Sequence, residues 1–206
     1  MLRFADRRFI HSFLAGAAYL AIALVIQSYA VAFATGSASN SVTDIVLSNT
    51  PTLPVDGYFI YGTVLAAACA LVASLVYLRR APFVLKSGAL FFFIRSFFVS
   101  LTHINTFPTQ VAITPNAITR LFPFVFTGKD LFFSGHAGAP FLMALIFWDK
   151  PALRYLFLGF SIAFAFVVLF GHLHYSIDVA AAYFITYSIF ALAKYLFASD
   201  FARAHS

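Results

Sequence analysis

Apolar residues in this chain gather in long runs, and the polar residues mark where the runs stop. A membrane-spanning helix needs about 20 mostly apolar residues. Six stretches answer to that description: 12–34, 57–78, 84–105, 131–148, 151–171 and 175–198. The fourth is the shortest. Arg79-Arg80 separates the second run from the third, and Asp149-Lys150-Pro151 separates the fourth from the fifth. Pro151 suits the first turn of a helix, where its missing N–H costs nothing. The pattern predicts an all-α integral membrane bundle of six transmembrane helices forming one domain over 1–206, without internal repeat or linker. The first run has a basic start (Arg3, Arg7, Arg8) and a cleavage-like Ala32-Phe33-Ala34. Its apolar core exceeds the roughly 7–15 residues of a signal peptide, so an uncleaved helix is expected.

Composition agrees. The chain is 62% hydrophobic and 10% charged, against about 25% charged in soluble domains. It cannot supply a globule's polar surface. Its 28 Phe and 10 Tyr suit a lipid-facing exterior with aromatic belts. The net charge of +6 is spread over loops, which argues against a nucleic-acid partner. With a cytoplasmic N-terminus, ten of the thirteen basic residues fall on the cytoplasmic side: Arg3, Arg7, Arg8, Arg79, Arg80, Lys86, Lys150, Arg154, Lys194 and Arg203. Only Arg120 and Lys129 fall opposite, and Arg95 lies within the third run. The positive-inside rule therefore places both termini in the cytoplasm. The single cysteine, Cys69, sits in an apolar run and reads as a packing residue.

That topology, set by Lys and Arg alone, puts another group of polar residues on the non-cytoplasmic side. Asp56 opens the second helix, His103 closes the third, His136 opens the fourth, and His172, His174 and Asp178 open the sixth. His174 and Asp178 are four apart and share a face of a helix. A carboxylate there accepts Nδ1–H of the imidazole, fixes its tautomer and stabilises positive charge on the ring. A histidine nucleophile or general base needs this, although such a pair also serves simply to stabilise a helix start. Ser134-Gly135-His136 offers a hydroxyl, a close backbone approach and an imidazole where N–H groups bind phosphate; Ser134 reads equally as an N-cap. Arg95 lies about ten residues inside the third helix, on one face with Thr102 and His103. A charge at that depth lines a polar cavity, and Arg holds phosphate bidentately or pairs with a carboxylate or carbonyl. Asp56 reads first as an N-cap of the second helix. Lys129 and Arg120 are candidate phosphate contacts, Arg79-Arg80 a topology signal, and Phe91-Phe92-Phe93 lipid contact.

These residues resemble a known family. Ser134-Gly135-His136 with His174-x3-Asp178 is similar to the catalytic core of the type 2 phosphatidic acid phosphatase superfamily, and more closely to its sphingomyelin synthase branch. His172-Leu173-His174-Tyr175-Ser176-Ile177-Asp178-Val179, then Ala182-Tyr183-Phe184-Ile185-Thr186, resembles that branch's final signature. Asp130 before His136 fits as well. Arg95 with Thr102 and Pro108 resembles its third-helix signature, and Pro51-Thr52-Leu53-Pro54-Val55-Asp56 its Pro-Leu-Pro-Asp element with an inserted Val55. The resemblance spans about 51–190. The phosphatase branch carries an Arg six residues before the nucleophilic His; Val168 stands there in this chain.

The resemblance implies a lipid phosphotransferase. Asp178 would orient His174, His174 would attack phosphorus or deprotonate an attacking hydroxyl, and His136 would protonate the departing lipid alkoxide. Arg95, Lys129, Ser134 and Gly135 would hold the phosphate, with Asp56, Thr102, His103, Asp130, His172 and Tyr175 nearby in the pocket. No metal or cofactor is required. The partners would be membrane phospholipids and a lipid alcohol such as ceramide, or water. A lipid phosphate phosphatase is the alternative within the same class. A haem-binding protein using His103, His136, His172 and His174, or a transporter, are the alternatives outside it.

Overall fold

The computed structural model describes residues 7–101, 103–126 and 129–205. Their regular structure is helical, with no strand among the described residues. Eight α-helices follow in order: α1 (Arg7–Gly36), α2 (Asp56–Val76), α3 (Ala81–Leu101), α4 (Ala117–Leu121), α5 (Gly135–Ile146), α6 (Pro151–Phe170), α7 (Ser176–Leu196) and α8 (Ala198–Ala204). Five are long and apolar enough to cross a membrane: α1, α2, α3 with the 3-10 turn before it, α6 and α7. Such a set marks an integral membrane protein.

The fourth expected run forms a shorter helix than its bounds of 131–148 imply. It folds as α5, only 12 residues long, about 18 Å at 1.5 Å per residue against a hydrocarbon core of roughly 30 Å. Leu131, Phe132 and Phe133 supplied the apolar signal, but they form non-helical backbone ahead of the helix. Phe132 takes a positive φ of 65°, and Leu131 and Phe133 are buried in the protein. Interior packing, rather than lipid, explains their hydrophobicity.

Burial separates the helices. Nine of the twelve residues of α5 are buried, whereas only six of the thirty in α1 are. α5 is therefore the central helix, packed on α3, α6 and α7, and α1 lies along α3 with most of its surface outward. Close approach needs small residues. A Cβ on Gly138 would lie 2.8 Å from Thr186 Oγ1 and 3.0 Å from the Phe91 ring. Ser161 Oγ on α6 donates to the Ala137 carbonyl of α5 at 2.8 Å.

One end of the bundle is closed by ion pairs. Arg80, expected to serve as a topology signal, is buried. Its two terminal nitrogens donate to the Asp149 carboxylate at 2.7 and 2.6 Å, and Nη1 also donates to the Ile146 carbonyl at 2.9 Å. It thus caps the C-terminus of α5. The Arg80 hydrogen bonds pull the Asp149 carboxyl down to about 2. Beside it, Lys86 Nζ donates to Asp200 Oδ2 and to Ser12 Oγ, both at 2.7 Å, tying α1, α3 and α8 together. The longer loops all lie at the other end.

Candidate active site

α7 begins at Ser176, two residues after His174. Residues 171–175 form the turn from α6, with His172 at φ 51° and the Leu173 N–H donating to the Val168 carbonyl at 2.8 Å. Asp178, in the first turn of α7, directs its carboxylate back toward this turn. Oδ2 accepts the Tyr175 N–H at 3.0 Å and lies 3.2 Å from His174 Nδ1. The His–Asp contact thus forms through the N-terminal turn of the helix, not as a pair along its side. Both groups are almost fully buried, and the carboxylate fixes the proton on Nδ1, leaving Nε2 on the far edge of the ring.

A single backbone bond joins the two halves of the site. The Ser134 N–H donates to the Asp178 carbonyl at 3.0 Å, bringing the start of α5 against the start of α7. Ser134 is the N-cap of α5, and its Oγ accepts the Ala137 N–H at 3.4 Å. His136 follows in the first turn. Its ring lies 4.2 Å from that of Phe59, centroid to centroid, with Phe126 and Phe164 further round. Both ring nitrogens are buried and make no hydrogen bond among the described residues. An unsatisfied buried polar atom costs about 1–3 kcal/mol. Asp130 and His136 line one cavity, and the Ser134–Asp178 backbone bond brings the turn that carries His174 to the same end of the bundle.

Arg95 reaches this neighbourhood from α3 and engages it through two of its three nitrogens. Nε donates to the Phe133 carbonyl at 3.0 Å; Nη2 donates to the Asp130 carbonyl at 2.9 Å and to Asp130 Oδ2 at 2.7 Å. A Cβ on Gly135 would lie 3.0 Å from Arg95 Nε, so glycine lets the guanidinium lie flat under the α5 N-terminus. Burial disfavours a charged Asp130, but Arg95 outweighs it and holds the carboxyl below its usual range.

A cavity of about 400 Å³ opens beside the site. Arg95, Asp130, Gly135 and His136 form its polar corner. Apart from Gln27 and Thr63 the rest is apolar, including Ala66, Ala67 and Ala70 of α2, Ala139 and Met143 of α5, and Phe157 and Phe164 of α6. The small α2 residues leave the space that the phenylalanines opposite do not fill.

Other expected pocket residues lie elsewhere. His172 turns into the loops, its Nδ1 2.6 Å from Thr109 Oγ1 and its ring edge-on to Phe107; burial pushes its pKa down. Tyr175 donates its hydroxyl to the Asn105 carbonyl at 2.8 Å and accepts the Val42 N–H at 3.2 Å. His103 contacts the Ser100 carbonyl and Phe33. Asp56 is not the N-cap of α2, a place taken by Val55; it is the first helical residue and accepts Thr114 Oγ1 at 2.7 Å. Lys129 is exposed, next to Asp130. Thr102 lies outside the described residues.

Two contributors escape sequence reasoning. Asp44 Oδ2 accepts the Ser176 N–H at 2.7 Å from 132 residues away, and Oδ1 accepts the N–H groups of Val46 and Leu47. Asp44 caps α7 and ties it to the α1–α2 loop. Burial opposes its ionisation, but these N–H groups prevail and hold the carboxyl low. Gln27 of α1 is the other. Nothing local in either stretch marks these roles.

No curated protein and no solved structure matches this chain. Residues 128–195 do match a family model, described as PAP2 superfamily C-terminal. That stretch is about a third of the chain, and Ser134, His136, His174 and Asp178 all lie within it. The match supports a place in the PAP2 superfamily for this membrane chain.

Proposed function

We propose that this protein is a membrane-embedded lipid phosphotransferase with His136, His174 and Asp178 as its catalytic residues. It moves a phospho-headgroup from a glycerophospholipid to a lipid alcohol such as ceramide, or to water. The observation that carries the reading is a buried histidine, His136, without a hydrogen bond among the described residues at the corner of a largely apolar cavity, with the Asp178-oriented His174 brought to the same end by the Ser134–Asp178 backbone bond. Such a place suits an amphiphile with its phosphate at the polar corner and its chain in the apolar part. The PAP2 match agrees with lipid phosphoryl chemistry.

In this mechanism Nε2 of His174 attacks phosphorus while the bond to the diacylglycerol oxygen breaks. His136 gives that oxygen its proton. Asp178 stabilises the charge that develops on His174. The acceptor hydroxyl then attacks phosphorus, its proton passes to His136, and the N–P bond breaks. Positioning and electrostatics do most of the work in phosphoryl transfer. The N–H groups at the start of α5 and Lys129 hold the phosphate oxygens. Arg95, read from sequence as a direct phosphate ligand, is assigned instead to fixing residues 130–135, because its Nε and Nη2 already have partners there.

The Lys/Arg distribution favours a non-cytoplasmic site with both termini inside. α5, short as it is, carries the chain from the site end to the opposite end and counts as the sixth passage. A phosphomonoesterase is the second reading. Val168, where the phosphatase branch has Arg, is fully buried in an apolar cluster with Val55, Phe59 and Leu173. That leaves no cation at this position for a dianionic monoester.

The test uses purified protein in liposomes with fluorescent ceramide and phosphatidylcholine, phosphatidylethanolamine or phosphatidylglycerol. A phospho-ceramide product that vanishes in His174→Ala establishes a transferase and identifies its donor. Diacylglycerol release without that product, still dependent on His174, makes it a hydrolase. Turnover indifferent to His174 overturns the assignment.

A further inference from the structure

α1 lies outside the matched stretch and outside every motif of the site. Its buried stripe consists of Gly16, Ala23, Gln27, Ala30, Val31 and Ala34. Gln27 is the one long polar side chain in it, 1% exposed, near the middle of the longest helix. A polar side chain at such depth is retained for an interhelical bond or a functional one.

Its amide satisfies every neighbour in one orientation. The oxygen then accepts Arg95 Nη1 at 2.6 Å, and the nitrogen donates to the Phe92 carbonyl at 3.2 Å and to Ser96 Oγ at 3.0 Å. Gln27 thus holds the one face of the guanidinium that Asp130 and Phe133 leave open. It also borders the same cavity as His136. The chain of contacts runs from α1 through Arg95 to Asp130 and Phe133, and so to the segment that sets the α5 N-terminus and its histidine.

We infer that Gln27 is a positioning residue, which fixes the Arg95 guanidinium and through it the 130–136 segment that presents His136 to the substrate. The catalytic consequence rests on the function proposed above; the mechanical one does not. Gln27 touches no reacting atom. Its loss loosens the segment that carries both His136 and the N–H groups proposed to hold the phosphate, and so lowers kcat/KM. A misplacement on the scale of 1 Å costs up to about a hundredfold in rate.

The test compares wild type, Gln27→Met and Gln27→Glu in the full chain reconstituted in phosphatidylcholine liposomes. Met keeps the volume and removes the hydrogen bonds. Glu keeps the acceptor for Arg95 and replaces the NH₂ donor with a second oxygen, whose added charge the Arg95 guanidinium can pair. Hydrogen exchange is read by mass spectrometry over 129–137, with peptides from α6 as the internal reference. Gln27→Met should speed exchange by about tenfold in 129–137 alone, as expected for removal of a local restraint, and Gln27→Glu should restore most of the protection. Phospholipid turnover should follow, with kcat/KM down about ten- to a hundredfold in Gln27→Met, and largely recovered in Gln27→Glu. Unchanged exchange over 129–137 in Gln27→Met overturns the inference, whatever the activity. Equal loss in the Met and Glu variants overturns it too, since it would show a packing role. If wild type turns over no lipid, the functional reading falls alone, and the exchange data still decide whether Gln27 restrains the segment.

Discussion

The two ends of this bundle solve opposite problems. At the α5 C-terminus every charge the structure buries has a partner of opposite sign, and the connections are short: Arg80 on Asp149, Lys86 on Asp200. At the α5 N-terminus the chain takes two positive-φ turns at non-glycine residues, Phe132 and His172, and both nitrogens of a buried histidine make no bond among the described residues. Strained backbone beside a buried imidazole with neither nitrogen bonded among the described residues marks a place for a ligand. The first end is built for stability. The second carries a local energetic cost that a bound substrate would repay.

The sharpest way to break that contrast is His174→Ala in the liposome assay. Turnover should fall by about 10³-fold or more, the scale of losing a positioned acid–base or nucleophilic group, with little change in thermal melting. His136→Phe comes next. The new ring should pack among Phe59, Phe126 and Phe164 and remove the orphaned nitrogens, so melting should hold or rise while turnover falls about 10²-fold. A clear drop in melting temperature would mean that His136 is structural. At the other end the signs reverse. Arg80→Met should lower stability by about 1–3 kcal/mol, the scale of hydrogen bonds to a charged group, and leave kcat per folded molecule unchanged. A change in kcat there would erase the distinction between the ends.

The smallest effect is a titration. Asp149 is held down to about 2 in the fold by Arg80, whereas an unfolded aspartate titrates near 3.9. The stability it contributes is complete above roughly pH 4 and is lost as pH falls through about 2. Melting curves between those values should lose part of their slope in Asp149→Asn. The exposure of this carboxylate, 41%, keeps that part small.

Much of this was legible in the sequence, for physical reasons. Five long apolar runs became helices within about five residues of their expected limits, because a lipid-facing helix must be apolar along its whole length. The run 131–148 misled because apolarity does not distinguish lipid from protein interior, and Leu131 and Phe133 are interior. The His174–Asp178 contact was legible from spacing, but its geometry was not: the helix starts after His174, and the carboxylate reaches back over the first turn. Arg95 was legible as a buried charge with a purpose, yet its partners in 130–133 lie 35 or more residues away. Asp44 and Gln27 left no local trace, since each acts through a contact that only the folded chain creates.

The brevity of α5 bears on how the protein is made. Twelve residues give a translocating chain too little hydrophobic length to halt on its own. The turn of Trp148, Asp149 and Lys150 leads directly into α6, which is long enough. We expect α5 to enter the membrane only as one arm of a hairpin, after α6 has emerged from the ribosome. Chains truncated between α5 and α6 should then leave α5 outside the bilayer, and a glycosylation tag beyond residue 148 would read this directly. The helix that carries His136 would be among the last parts of the protein to take its place.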